Sequence, residues 1–180
     1  MSTKGFWLFI ILTAVIIVPI FVVPLLLAQS IPSAFSFAHD IYSPTCHQLT
    51  SRSLCYFPKT GFVGSFEDCF SSSEFNESKA ASVNKFGTIG YKMPVCSRDV
   101  GIYSFMLVGG ILFSFIRKKE DASLPPAIWL ILALVPLGID GTGQLFGFWE
   151  STNTMRLITG AISGFAVPFY AIPLLNRLFK

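Results

Sequence analysis

The chain has 180 residues, of which 52% are hydrophobic and 13% are charged, and its mean hydropathy is +0.63. This balance excludes an ordinary soluble domain and predicts an integral membrane protein. The net charge of +3 comes without a basic stripe or a nucleic-acid-binding motif, so we expect the lipid bilayer, and no nucleic acid, as a partner.

The first predicted transmembrane helix covers residues 6–28. This uninterrupted apolar run is longer than the ~20 residues that are needed to cross the hydrocarbon core. A signal peptide is the alternative, but the run is too long for the apolar part of one. We therefore expect a helix that is retained in the protein.

Three more spans are predicted, at about residues 100–116, 126–148 and 155–179. Pro168 and Pro173 lie inside the last span, where we expect kinks because membrane helices tolerate proline. The second of these spans is rich in glycine, so a re-entrant segment with only three crossing helices is the alternative there. Four transmembrane helices are our prediction.

Basic residues in the short flanks predict the orientation of these helices. Lys4 precedes the first helix, the sequence RKK occupies residues 117–119, and Arg177 and Lys180 end the chain. With four crossings all of them lie on one side of the membrane, which should be the cytoplasmic side of the cell membrane. Both termini are then cytoplasmic, and residues 29–99 are extracytoplasmic.

The predicted fold class is therefore all-α integral membrane, with four transmembrane helices and a cysteine-containing extracytoplasmic segment between helices 1 and 2. We expect residues 1–180 to form a single membrane domain. The middle of the segment is rich in Gly, Ser and Asn and is interpreted as a loop with at most one hairpin. It contains an N-glycosylation pattern at Asn76, which is short enough to occur by chance.

All four cysteines lie in this extracytoplasmic segment, where an even number of clustered cysteines indicates disulfides. Three connectivities are possible, and we predict the pairs Cys55–Cys69 and Cys46–Cys96. Two alternatives concern the second pair. It could be redox-active beside a basic residue such as Arg98, or it could bind a metal. The metal candidates, whose spacing is not a zinc signature, are Cys46, His47, Cys96 and Asp99, and zinc would accept such ligands.

A second group of polar residues lies between the last two predicted helices. Asp140 is eight residues before the end of the third helix, which places it ~12 Å inside the outer boundary, and Gln144 follows on the same helical face. A charge at this depth costs about 2.5 to 3.5 kcal/mol and needs a partner. We expect Asp140 to pair with Arg156, either as a clamp between two helices or as an outward-facing pocket.

Three blocks of the sequence carry a resemblance to a known family: CHQLTSRS at 46–53, MPVCSRDVGIY at 93–103 and LGIDGTGQLFGFWESTNTMRLITG at 137–160. They resemble the predicted membrane proteins called domain of unknown function 2085 (DUF2085), which implies a multi-helix membrane protein, here interpreted as prokaryotic, but no reaction. The matching positions are Cys46, His47, Arg52, Ser53, Pro94, Cys96, Arg98, Gly101, Tyr103, Asp140, Gly141, Gln144, Ser151, Asn153, Arg156, Thr159 and Gly160.

This chain departs from the family pattern in two places. Asp99 stands where the family commonly has a second cysteine, which weakens any mechanism that needs a Cys-x-x-Cys pair there. Residues 54–91 look like an insertion, which brings Cys55 and Cys69.

We expect the polar residues of all three blocks to share one outer-leaflet site. Its candidate catalytic residues are Cys46, His47, Cys96, Arg98, Asp140 and Arg156, and its candidate binding residues are Tyr103, Gln144, Glu150, Asn153 and Arg156.

The leading functional hypothesis is a structural or assembly subunit, which could have other membrane subunits as partners. The alternatives are a membrane enzyme with an extracytoplasmic thiol-redox or metal site, and a protein that binds or transports a small solute or a lipid headgroup. No cofactor is firmly implied, and zinc is the one candidate. The chain has no nucleotide-binding loop, serine-hydrolase elbow or HExxH motif, so those enzyme classes are excluded.

Overall fold

A computed structural model describes residues 3–44, 46, 48–60, 63–70, 80–85 and 87–179 of the chain. The chain divides into two compact units. The helical unit consists of Met1–Ile17, Gly101–Ser151 and Met155–Lys180, and the sheet unit consists of Val18–Val100 and Thr152–Thr154.

Six α-helices are present in the described part of the chain. They are α1 (Lys4–Ala28), α2 (Pro32–Tyr42), α3 (Ser97–Ile116), α4 (Ala127–Leu145), α5 (Asn153–Ala166) and α6 (Pro168–Leu178). Among the described residues, four stretches are long and apolar enough to cross a membrane: α1, α3, α4, and α5 together with α6. The prediction of four candidate spans is confirmed.

Proline interrupts the fourth of these spans, and the third span ends earlier than predicted. The predicted kink at Pro168 is the point where α5 ends and α6 begins, because proline has no N–H to continue the hydrogen-bond ladder. The third span ends at Leu145 rather than at 148. The sequence 126–148, for which a re-entrant segment was the alternative, forms one continuous helix up to that residue.

Small residues let the helices of the helical unit approach closely. A Cβ atom at Gly164 would overlap the backbone of Ile102, and one at Gly101 would overlap the carbonyl oxygen of Leu157. Helices α3 and α5 therefore touch backbone to backbone, as small residues permit in membrane proteins. The apolar core of this unit is built on Phe6, Phe9, Phe113 and Ile172.

Polar contacts gather the ends of three segments at one end of the helical unit. The Asn176 side-chain amide donates to the carbonyl oxygens of Lys119 and Asp121 at 2.9 and 2.8 Å. The Arg177 Nε atom donates to the Ala122 carbonyl oxygen at 2.9 Å, and Gly5 packs against Asn176. The start of α1, the α3–α4 loop and the end of α6 thus lie together.

The sheet unit contains a four-stranded antiparallel sheet, so the predicted all-α fold class is wrong. Its strands are β1 (Leu54–Thr60), β2 (Val63–Asp68), β3 (Ser82–Lys85) and β4 (Thr88–Lys92), and their order is β2-β1-β4-β3. The sequence predicts a loop with at most one hairpin in the middle of this segment because the strands there are short and rich in polar residues and glycine. Cross-strand pairing and burial of β1 compensate for that weak local preference.

A disulfide joins Cys55 of β1 to Cys69, which follows β2, with a Cα–Cα distance of 4.9 Å. This is one of the two predicted bridges. Both cysteines are buried, together with Phe57. The bridge therefore lies in the small core of the sheet and ties the β1–β2 hairpin at its open end.

Helix α2 precedes the sheet and is amphipathic. Phe35, Ala38 and Tyr42 are buried on one face, whereas Phe37 and Ile41 are exposed. Its exposed aromatic and aliphatic side chains agree with a position along a membrane interface, where such helices lie with one apolar face in the headgroup region.

Candidate functional site

Two thiols and one carboxylate meet in the sheet unit. The Sγ atoms of Cys46 and Cys96 and a carboxylate oxygen of Asp99 all lie within 4.8 Å of one another. We call these three residues the thiol cluster. Cys46 is buried and the other two residues are half-buried.

The sheet explains how cysteines fifty residues apart can meet. Strand β1 begins shortly after Cys46, strand β4 ends shortly before Cys96, and the two strands are neighbours through the pairs Cys55↔Lys92 and Tyr56↔Tyr91. Because β1 and β4 pair, the residues just before β1 lie close to the residues just after β4. This pairing therefore brings Cys46 and Cys96 together.

Hydrogen bonds orient all three groups. The Cys46 Sγ atom accepts from the backbone N–H groups of Gln48 at 3.4 Å and Cys96 at 3.2 Å. The Cys96 thiol donates to Asp99 Oδ2 at 3.1 Å. The N–H donors favour negative charge on the Cys46 sulfur, and the carboxylate keeps the proton on the Cys96 sulfur.

The pKa directions of the two thiols follow from the same contacts. The pKa of Cys46 is lowered, chiefly by the interaction of its side chain with that of Cys96. The pKa of Cys96 is raised well above its usual value, first by that interaction with Cys46 and then by burial. One sulfur of the pair thus ionises more readily than the other.

The structure has no disulfide between the two cysteines of the cluster, and the predicted Cys46–Cys96 bridge stays a prediction. A bridge requires sulfur atoms about 2.05 Å apart. Here the Cys46 sulfur faces two backbone N–H groups, and the Cys96 sulfur is hydrogen-bonded to Asp99. The cluster offers two thiol ligands and one carboxylate for a metal, or a dithiol for redox chemistry. The candidates His47 and Asn76 lie outside the described residues.

Gln48 contacts the thiol cluster directly and Lys92 contacts Gln48, and the sequence predicted neither residue. Gln48 has a left-handed backbone with φ of 55°. Its side chain donates to the carbonyl oxygen of His39 at 2.9 Å, and its own carbonyl oxygen accepts from the fully buried Lys92 ammonium group. A lysine in a polar strand gives no sequence signal for such a role, because burial there depends on which strands pair.

A second polar group, in the helical unit, is built from Asp140, Glu150, Ser151 and Arg156, which we call the hairpin cluster. The Ser151 hydroxyl donates to Asp140 Oδ1. Arg156 Nη2 donates to Glu150 Oε1 at 2.9 Å in an ion pair. Asp140, Ser151 and Arg156 are buried, whereas 41% of the Glu150 side chain is exposed. The predicted Asp140–Arg156 pair stays a prediction.

A Schellman motif ends α4 and directs the chain into this cluster. The N–H of Phe148 donates to the Gly143 carbonyl oxygen at 2.9 Å, and the N–H of Gly147 donates to the Gln144 carbonyl oxygen at 3.1 Å. Gly147 has the left-handed backbone of this motif, with φ of 73°. The Trp149 ring packs directly on Gly143. The two glycines of the sequence GQLFG therefore shape the α4–α5 turn.

The remaining predicted site residues fall in both units. The Asn153 side-chain amide donates to the carbonyl oxygens of Ser51 and Ser53, at 3.2 and 3.5 Å, within the sheet unit. Arg98 is half-buried in the first turn of α3, Tyr103 is half-buried further along it, and Gln144 is half-buried on α4. The structure describes two clusters, each within its own unit, and the shared outer-leaflet site stays a prediction.

Comparisons with known proteins agree with the membrane character of the chain. The family profile described as "Predicted membrane protein (DUF2085)" matches residues 83–170. An uncharacterised protein of Methanocaldococcus jannaschii is 38% identical over 136 residues, which cover 76% of this chain and 67% of that relative. An uncharacterised protein of Methanothermobacter thermautotrophicus is 35% identical over 79 residues, which cover 44% of this chain and 69% of that relative. No solved structure is significantly similar.

Proposed function

The chain belongs to the family of predicted membrane proteins called domain of unknown function 2085, and from this premise we propose that it is a multi-pass membrane protein with a structural or assembly role. The hairpin cluster carries the proposal. Its polar groups are partners of one another: Ser151 is hydrogen-bonded to Asp140, and Glu150 forms an ion pair with Arg156. Buried polar groups that find their partners within one hairpin fix the arrangement of its helices, which is the property that a structural subunit needs.

In this proposal both termini are cytoplasmic. Lys4, the basic residues 117–119 and Arg177 lie in segments that the contacts of Asn176 and Gly5 bring to one end of the helical unit. An excess of Lys and Arg marks the cytoplasmic side. A reporter that is active only in the cytoplasm, fused to the C-terminus, should be active, and an inactive fusion that is stably expressed would reverse the orientation.

A charge exchange in the hairpin cluster tests the structural role. Glu150→Arg and Arg156→Glu, made singly, should each lower the yield of folded protein and its midpoint of thermal unfolding in detergent. The double variant should recover part of both losses, because the ion pair is restored with its polarity reversed. Asp40→Arg is the control, since 85% of the Asp40 side chain is exposed. Single variants that behave like this control would contradict the proposal.

A second candidate function is a membrane enzyme with an extracytoplasmic site, and the observation that favours it is the thiol cluster. Two free thiols and a carboxylate lie within 4.8 Å of one another, and a purely structural protein does not need such reactive groups together. The site lies in the same unit as the Cys55–Cys69 disulfide, which supports an oxidising surrounding for it. Alkylation of both thiols in unreduced protein would support this function, and a Cys46–Cys96 disulfide that resists reduction in the folded protein would count against it.

A further inference from the structure

The donor atoms of the thiol cluster have the chemistry and the spacing of a metal site. Two sulfurs and one carboxylate oxygen are the ligand types that zinc and similar borderline-soft cations accept. Two thiolates bound to one tetrahedral zinc ion, at about 2.3 Å each, lie about 3.8 Å apart. The three donor atoms lie within 4.8 Å of one another, so a shared ion requires side-chain adjustments of about an ångström.

The surroundings of Cys46 resemble the outer shell of a metal thiolate. Its sulfur accepts two backbone N–H hydrogen bonds, from Gln48 and Cys96. Gln48 is itself held by the Lys92 ammonium group and by its bond to the His39 carbonyl. Such outer-shell donors orient a ligand and fix its geometry before the ion arrives.

The charge of the cluster also favours a cation. Each of its three groups becomes negative when it loses a proton, so full ionisation of Cys46, Cys96 and Asp99 would place three like charges side by side. A divalent cation offsets this repulsion when it binds the ionised ligands. On binding, the cation would replace the proton that Cys96 shares with Asp99 in their hydrogen bond.

We propose that Cys46, Cys96 and Asp99 bind one thiophilic divalent cation, for which zinc is the best match. Three protein ligands leave a fourth position open, and an open position is typical of catalytic rather than structural zinc sites. The inference extends the second candidate function by naming the ion at its site. It is independent of the structural role of the hairpin cluster.

The first test is the metal content of the full-length protein, purified in detergent with a non-histidine affinity tag and without chelators. We expect about one zinc per chain by elemental mass spectrometry. Replacement by Co²⁺ should give the absorption bands of a tetrahedral cobalt–thiolate site. Free thiols at Cys46 and Cys96 without stoichiometric metal, and without Zn²⁺ or Co²⁺ uptake on titration, would overturn the inference.

Variants assign the ligands. Cys46→Ser and Cys96→Ser should each weaken Zn²⁺ binding at least ~100-fold, since even outer-shell partners are worth about 10 to 100-fold. Asp99→Asn should weaken it less, and Asp40→Asn is the matched control that should leave it unchanged. Asp99→Cys should bind Zn²⁺ more tightly because it supplies a third thiolate, and this gain does not depend on whether the serine variants fold.

The outcomes separate this inference from the structural proposal. Metal-free protein whose folded yield still falls on Arg156→Glu would end the metal inference and leave the structural role standing. If the metal is stoichiometric and is lost in Cys46→Ser, while Arg156→Glu is tolerated, the metal inference stands and the structural role falls. Metal that remains bound in all three ligand variants would place the ion elsewhere and overturn the assignment.

Discussion

The hairpin cluster and the thiol cluster are both polar groups in an apolar chain, but they differ in how their charges are balanced. In the hairpin cluster a guanidinium group faces a carboxylate, and a hydroxyl group serves the second carboxylate. In the thiol cluster the three gathered groups are all acids. The comparison teaches that a group of residues in which each carboxylate has a hydrogen-bond donor as its partner is suited to hold helices together, whereas a group of acids is suited to bind a cation.

The largest expected effect breaks the balance of the hairpin cluster. Arg156→Gln should lower the free energy of unfolding by about 3 kcal/mol. The loss of one partner from a buried ion pair costs about 3 to 5 kcal/mol, and the lower end applies because Glu150 is partly exposed. Thermal unfolding in detergent measures the change, with Lys118→Gln, at an exposed position, as the control. An unchanged midpoint would remove the basis for a structural clamp.

The Cys55–Cys69 disulfide separates stability from metal binding in the sheet unit. Cys55→Ala combined with Cys69→Ala should lower the stability of this unit by up to about 3 kcal/mol, the amount expected for a closed loop of roughly 15 residues. Metal content should persist, because pairing of β1 with β4, rather than with β2, brings Cys46 and Cys96 together. Loss of the metal in folded protein would show that the hairpin, too, is needed to position the ligands.

A chelator sharpens the comparison from the other side. If zinc binds the folded thiol cluster, free Zn²⁺ at 100 times its dissociation constant stabilises the fold by about 2.7 kcal/mol. EDTA should therefore lower the unfolding midpoint of the unmodified protein, and Zn²⁺ added in excess should restore it. Acidification should have the same effect as EDTA, since protons compete for the thiolates. An unfolding midpoint that changes neither with EDTA nor with Zn²⁺ would contradict metal binding by the thiol cluster.

The smallest effect concerns the turn that supports the hairpin cluster. Gly147→Ala should cost about 1 kcal/mol, because its φ of 73° is unfavourable for any residue with a Cβ atom. Gly138→Ala on α4 is the matched control. A Cβ atom at Gly138 would meet no other part of the structure within 4 Å, and its φ is not positive, so the substitution should be neutral or slightly stabilising. Equal effects of the two substitutions would argue against the Schellman motif at the end of α4.

The sequence predicted the four candidate membrane spans well, but of the sheet it predicted at most one hairpin. Each span is an apolar run whose length alone indicates a membrane helix, so residues 6–28 and 100–116 lie within three residues of α1 and α3. The strands carry no comparable local signal. Leu54 and Lys92, at opposite ends of the sheet sequence, belong to strands that pair, and this long-range contact has no trace in composition or periodicity.

The candidate sites were predicted to a similar, partial extent. Cysteine and carboxylate residues in an apolar chain are conspicuous, so the sequence alone indicates Cys46, Cys96 and Asp99 as candidates. The state of the thiols depends on atomic distances, and the predicted Cys46–Cys96 bridge is absent from the structure. The role of Ser151 was missed because a serine beside a helix start is indistinguishable from an ordinary cap until its partner, Asp140, is located.

The most direct test of the difference between the clusters is thermal unfolding of Arg156→Gln and Cys46→Ser, each measured with and without EDTA. We predict that Arg156→Gln unfolds at a lower temperature but keeps the full shift on addition of EDTA, because its thiol cluster is intact. Cys46→Ser should lose that shift. A shift that is retained in Cys46→Ser, or an Arg156→Gln variant as stable as the unmodified protein, would contradict the separate roles assigned to the two clusters.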